Sequence, residues 1–243
     1  MKRILPALLV CTFLSVPAFA TSSDWVEMKY LGRWAGPYRT VSLYGSSDDL
    51  YDDLAKTGYE IQYAGNVVAG YYTHDIQAAG GLGTHIDDPL FGFCMDISQR
   101  PAPVYAPFDV VDLTGAPNPT FIGTTITNDK ADMLRELWGR HYSKALTNQQ
   151  AAEFQLAVWE IVFERSGTYD IGAGSLLSTS YNGGTNALLN SLDGLGPKAN
   201  LMALTNPEYQ DILAAVPVPA PGAIMLGAIG TALVGWVRRR RSL

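Results

Sequence analysis

The chain is expected to fold as an α+β protein, a β-sandwich or barrel with a helical subdomain, flanked by a signal peptide and a C-terminal transmembrane helix. Three observations carry this expectation. Short β-branched and aromatic runs punctuated by glycine fill the first half of the domain. Two stretches of helical periodicity follow, between about residues 128 and 165. Both chain ends are apolar runs flanked by basic residues.

Residues 1–20 have the tripartite layout of a cleaved signal: Lys2 and Arg3, the apolar run Ile4 to Val16, and Ala18-Phe19-Ala20 as a small-x-small cleavage site. Cys11 is a poor lipid-attachment site, because Val10 precedes it where a small residue is wanted. Residues 21–216 then form one domain, long enough to bury its own core. Strands are expected at Val26 to Leu31, Arg39 to Tyr44, Tyr59 to Ala64 and Val67 to Thr73, separated by Gly32, Gly36-Pro37, Gly45-Ser46-Ser47 and Gly65-Asn66. A glycine loop at residues 80–83 leads to a strand at Leu90 to Ile97, and another is expected at Phe108 to Leu113. The first helix, capped by Asn128 or Asp129, runs to about Leu146; the second starts near Asn148 and reaches about Arg165. On the second helix, Gln155 shares a stripe with Ala151, Ala152, Val158, Trp159 and Val162, while Glu153, Glu160 and Glu164 fall opposite. Short strands and a small helix near Thr185 to Leu192 complete the domain.

Charge narrows the partners. All 23 acidic residues but only 11 of the 17 basic ones lie in residues 21–216, a balance of −12. Nucleic acid and anionic lipid are therefore excluded as partners of the domain itself. No metal-ligand spacing is present: Asp48-Asp49 and Asp52-Asp53 are read as solvated loop acids, and no cofactor motif occurs.

The mature domain holds one cysteine, Cys94. An unpaired thiol in an exported chain implies an intermolecular bridge, a reactive group or another covalent use. Gln155 in the middle of an apolar helical face is the second anomaly, since a buried primary amide must satisfy two donors and a carbonyl. Taken singly, each has a plain reading, a packed small hydrophobe and a hydrogen-bonded core glutamine.

Together, FCMD (93–96) followed by FQLAVWE (154–160) resembles the thioester domains of bacterial surface adhesins. In those domains an aromatic-Cys strand motif pairs with a helical apolar-Gln-x-x-apolar-Trp motif, and sulfur and side-chain carbonyl join with loss of ammonia. The resemblance implies that Cys94 supplies sulfur and Gln155 the acyl carbon. It implies further that Trp159 and Phe93 shield the bond. It extends loosely from about residue 39 to 192, with Glu160 where an apolar residue is usual and Phe154 where Thr is common. The implied function is single-use covalent attachment to an amine or hydroxyl on a surface protein or polysaccharide, without turnover, so not an enzyme.

Two other classes stay open. A noncovalent structural or carbohydrate-binding matrix protein would use exposed tyrosines. A Cys-His hydrolase or transferase would need His74, His85 or His141 beside Cys94.

The C-terminal segment 217–243 combines Pro217, Pro219 and Pro221, an apolar run from Gly222 to Val237, and Arg238, Arg239, Arg240 and Arg241. At about 1.5 Å rise per residue the run is slightly short for a core of roughly 30 Å, a gap that snorkelling arginines and Trp236 can close. The arginines belong on the cytoplasmic side. This layout resembles the PEP-CTERM sorting signal of Gram-negative bacteria, with Val218 in place of the usual Glu. The resemblance implies an exosortase-type processing protease as partner, transient anchoring in the inner membrane, and release to the cell surface or extracellular matrix.

Overall fold

The computed structural model describes residues 23–32, 38–45, 64–119 and 123–216. The signal peptide expected at 1–20, the sorting segment expected at 217–243, the turn expected at Gly36-Pro37, Asp48, Asp49, Asp52, Asp53 and nearly all of the strand expected at Tyr59 to Ala64 lie outside those residues. No described helix is long and apolar enough to cross a membrane.

In chain order the strands are β1 (Trp25–Gly32), β2 (Tyr38–Gly45), β3 (Ala64–Gly70), β4 (Tyr72–Gly80), β5 (Leu90–Cys94) and β6 (Ala106–Asp112), with β7 (Leu176–Ser178), β8 (Leu201–Thr205) and β9 (Ile212–Ala215) after the first helices. The helices are α1 (Asn128–His141), α2 (Asn148–Phe163) and α3 (Asn182–Asn190). Strands β1, β4, β5, β9, β8 and β6 close an antiparallel barrel in that order. A separate three-stranded sheet has the order β3-β2-β7. The α+β class holds, and between the two architectures expected it is the barrel that forms.

Alternation builds the barrel wall: in β6, Ala106, Phe108 and Val110 are buried, while Pro107 and Asp109 are exposed. Gly92 of β5 lets β9 pack close, since a Cβ there would lie 2.3 Å from the Ile212 Cγ2. The stretch expected as one strand from Val67 to Thr73 is two. Gly70 has φ 145°, a conformation glycine supplies at little cost, and there the chain leaves the small sheet for the barrel. The strand expected to reach Ile97 stops at Cys94, and the glycine loop after β4 tightens into a 3₁₀ turn at Gly81–His85.

Helix starts follow cap chemistry. Thr127, rather than Asn128 or Asp129, caps α1 by accepting from the Lys130 N–H, and the helix ends at His141 instead of near Leu146. Thr147 and Gln150 form a reciprocal capping box on α2. Helix α2 is the spine of the molecule, packed against β2 and β3 of the small sheet, β5 of the barrel, and α1 and α3. Because it is covered on nearly every side, its expected polar face is largely lost: of Glu153, Glu160 and Glu164, only Glu153 stays partly exposed. Glu160 and Glu164 are buried at 0% and 1% exposure. Backbone donors meet both carboxyl groups: Glu160 Oε1 accepts from Asp170, its Oε2 having no partner among the described residues, and Glu164 accepts from Arg165, Ser166 and Ser175.

Candidate functional site

The antiparallel ladder leaves a gap that the site fills. Met95 N–H donates to the Asp211 carbonyl at 2.8 Å, on the side of β9. Alternation therefore turns the Cys94 N–H and C=O toward β4. But β4 begins at Tyr72, opposite Gly92, so no barrel strand reaches Cys94 on that side. Gln155, 61 residues away on α2, takes the missing place. The Cys94 N–H donates to Gln155 Oε1 at 2.9 Å, and Gln155 Nε2 donates to the Cys94 carbonyl at 2.8 Å. A side-chain amide thus completes the ladder as a peptide unit would, and this planted pair brings the acyl carbon of Gln155 against Cys94.

Aromatic packing fixes the approach. Phe93 and Phe154, the residues just before Cys94 and Gln155, pack at a ring separation of 4.5 Å. Phe93 also meets Tyr71 at 4.8 Å and the edge of Trp138 at 5.6 Å. Cys94, Gln155, Phe93 and Trp159 are all at 0% exposure. The residues expected to form and shield the bond are thus brought together on β5 and α2. The tail residues Pro217, Pro219, Pro221 and Arg238 to Arg241 lie outside the described residues.

Electrostatics argue against a thiolate at Cys94. Burial pushes the thiol well above its ordinary pKa; the Trp159 indole N–H, which faces the sulfur, and the Asp96 backbone N–H offset this only in part. The indole N–H stops short of a full hydrogen bond and has no other partner among the described residues. The charged neighbours acting on the thiol are Asp96 and Asp211, not a histidine. His74 stands opposite Leu90, four positions along β5 from Cys94, and burial holds it neutral, with a pKa of about 4. His141 faces the Ser191 hydroxyl at 2.7 Å, and His85 sits in the 3₁₀ turn. Of the tyrosines, Tyr71 and Tyr72 are core residues at 5% and 7% exposure. Among the described residues no group of three or more His, Cys, Asp or Glu is placed to hold a metal ion.

Sequence reasoning missed two acids of this neighbourhood, Asp96 and Asp211. Burial raises both, Asp211 to about 7, and the negative charge of Asp96 adds to the shift at Asp211. Asp96 was visible as the last residue of FCMD. Asp211 carries no local signal, because only barrel closure by β9 brings it near β5. The chain matches no protein family, no curated protein and no solved structure.

Proposed function

We propose that Cys94 and Gln155 condense to an internal thioester, and that the exported protein uses it once to attach covalently to a nucleophile on a surface protein or polysaccharide. The observation that carries this reading is the reciprocal pair of hydrogen bonds between the Gln155 amide and the backbone of Cys94. In the condensation the sulfur attacks Gln155 Cδ, the C–S bond forms and the C–N bond breaks. Ammonia then leaves with the thiol proton. Oε1 keeps its donor, the Cys94 N–H, whereas the Cys94 carbonyl gives up the one it had from Nε2. Burial tolerates the product, since the thioester, like the thiol and amide it replaces, carries no charge. Water exclusion by Phe93 and Trp159 slows hydrolysis.

Export and the proline, apolar and arginine layout of residues 217–243 support a route through the inner membrane and an exosortase-type protease to the cell surface or matrix. The same tight burial favours a second reading, a noncovalent matrix protein in which Gln155 is only a clamp on β5. Intact mass separates the two. The crosslinked protein is lighter by one ammonia and has no alkylatable thiol. Cys94→Ala and Gln155→Glu should fold and lack the deficit, because hydroxide leaves poorly from a carboxyl without activation. Full mass with a thiol that reacts after mild denaturation would sink the thioester.

A further inference from the structure

Trp159 follows Gln155 by one turn of α2, so the two side chains share a face of the helix. It has no exposed surface, and its indole N–H, without a hydrogen-bond partner among the described residues, faces the Cys94 sulfur. A buried N–H left unpaired costs free energy, and a neutral thiol is too weak an acceptor to offset it. The Asp96 backbone N–H approaches the same sulfur. Two donors therefore converge on an atom that has little use for them at rest. The charged side chains acting on that sulfur, Asp96 and Asp211, are acids and cannot neutralise negative charge there. The other atoms of the reaction are already held, with the Cys94 N–H on Gln155 Oε1 and the Cys94 carbonyl on Nε2.

We propose that Trp159 is a catalytic residue of the thioester chemistry, its indole N–H stabilising the negative charge that sulfur carries while the C–S bond forms or breaks. The proposal rests on the thioester reading and gives Trp159 a role beyond shielding. In the condensation, sulfur attacks Gln155 Cδ, and the charge that develops on Oε1 is met by the Cys94 N–H. The thiol proton passes to the departing nitrogen, which leaves as ammonia. In the opening reaction an amine nitrogen bonds to Cδ and the C–S bond breaks. Its electron pair goes to sulfur, and the amine's proton follows it there. The products are an amide at Gln155 and a free Cys94 thiol, so atoms and charge balance. Sulfur is transiently electron-rich in both directions, and the indole N–H closes onto it without giving up its proton. A donor that is idle in the resting state and engaged in the transition state lowers the barrier without tightening the ground state.

The test uses the purified full chain, with methylamine as probe and intact mass and thiol titration as readouts. Wild type should show the ammonia deficit and release one thiol per methylamine bound. Trp159→Phe, which keeps an apolar ring over the site, should show the deficit yet take up methylamine at least ~10-fold more slowly. Ammonia in place of methylamine restores Gln155 and the thiol, and its removal lets the pair condense again. That return of the deficit should be slower in the variant as well, because the same donor serves both directions. A shield alone predicts the opposite sign, since a smaller ring admits amine more readily. Equal or faster methylamine uptake by Trp159→Phe overturns the proposal and leaves the thioester standing. No deficit in wild type overturns both. Should Trp159→Phe fail to fold or to condense, the unmutated chain with 5-fluorotryptophan at its five tryptophans decides. Fluorine makes the indole N–H a stronger donor and barely changes the ring's shape. Methylamine uptake must then be faster than in the unlabelled chain, and equal or slower uptake overturns the proposal.

Discussion

A glutamine amide with no exposed surface that bonds both the N–H and the C=O of one residue behaves as a piece of borrowed backbone. Removing it orphans two buried groups at once, each worth about 1–3 kcal/mol. Gln155→Leu should therefore destabilise the domain by about 2–4 kcal/mol in urea unfolding. Cys94→Ala, which keeps the backbone groups and the amide, should cost clearly less. If the two variants unfold alike, the clamp carries no stability of its own. Trp159→Phe preserves most of the packing and removes the indole N–H from the sulfur. Trp159→Ala loses the packing too and should cost about 3–5 kcal/mol. The identity of this pair was legible in the sequence because a cysteine without a partner in residues 21–216 and a glutamine on an apolar stripe are chemical anomalies. Their hydrogen-bond geometry was not, since it depends on where β4 stops.

At the scale of one element, α2 is closed at its C-terminal end by a buried lysine. Lys130 of α1 donates to the carbonyls of Val162 and Glu164, both at 2.7 Å. Those carbonyls would otherwise lack donors, as the last carbonyls of any helix do. Lys130→Met should lower stability by about 2–3 kcal/mol, against about 1 kcal/mol for loss of the Thr147 cap in Thr147→Ala. Glu160 gives the same helix a pH dependence. Burial raises its pKa to about 8, with Glu164 and Asp170 adding to the rise and Lys130 opposing it. Because the folded state holds this proton more tightly than the unfolded chain, its contribution is complete below about pH 4.5 and is lost as pH rises to about 8. Glu160→Gln, which keeps an acceptor for the Asp170 N–H, should flatten that part of the thermal stability profile. An unchanged profile would mean that Glu160 is ionised in the folded state.

The helix itself was readable from capping residues and periodicity. The burial of Glu160 and Glu164 was not, because periodicity assumes a solvent face, and α2 is enclosed by the small sheet, the barrel and two helices. The strands β8 and β9 are five and four residues long and have no distinctive pattern. Closure of the sheet into a barrel is a long-range pairing of β1 with β6 and of β5 with β9 that no local window contains.

For the whole molecule, the arginine cluster predicts topology. Replacing Arg238, Arg239, Arg240 and Arg241 with serine should abolish retention of the precursor in the membrane and slow its processing, followed by fractionation and immunoblotting. Surface delivery at the wild-type rate would contradict the sorting role.

The order of strands has a mechanical consequence. Strand β9 ends at Ala215, immediately before the proline segment, and it lies between β5 and β8 in the wall. Tension applied to the chain beyond Val216 is therefore transmitted first into the strand that pairs with Cys94 of β5. A covalent tie from β5 to α2 would not hold β9 in place. Pulling on the tail would part β9 from β5 while the tie kept the remaining core together, making β9 the weakest link under load.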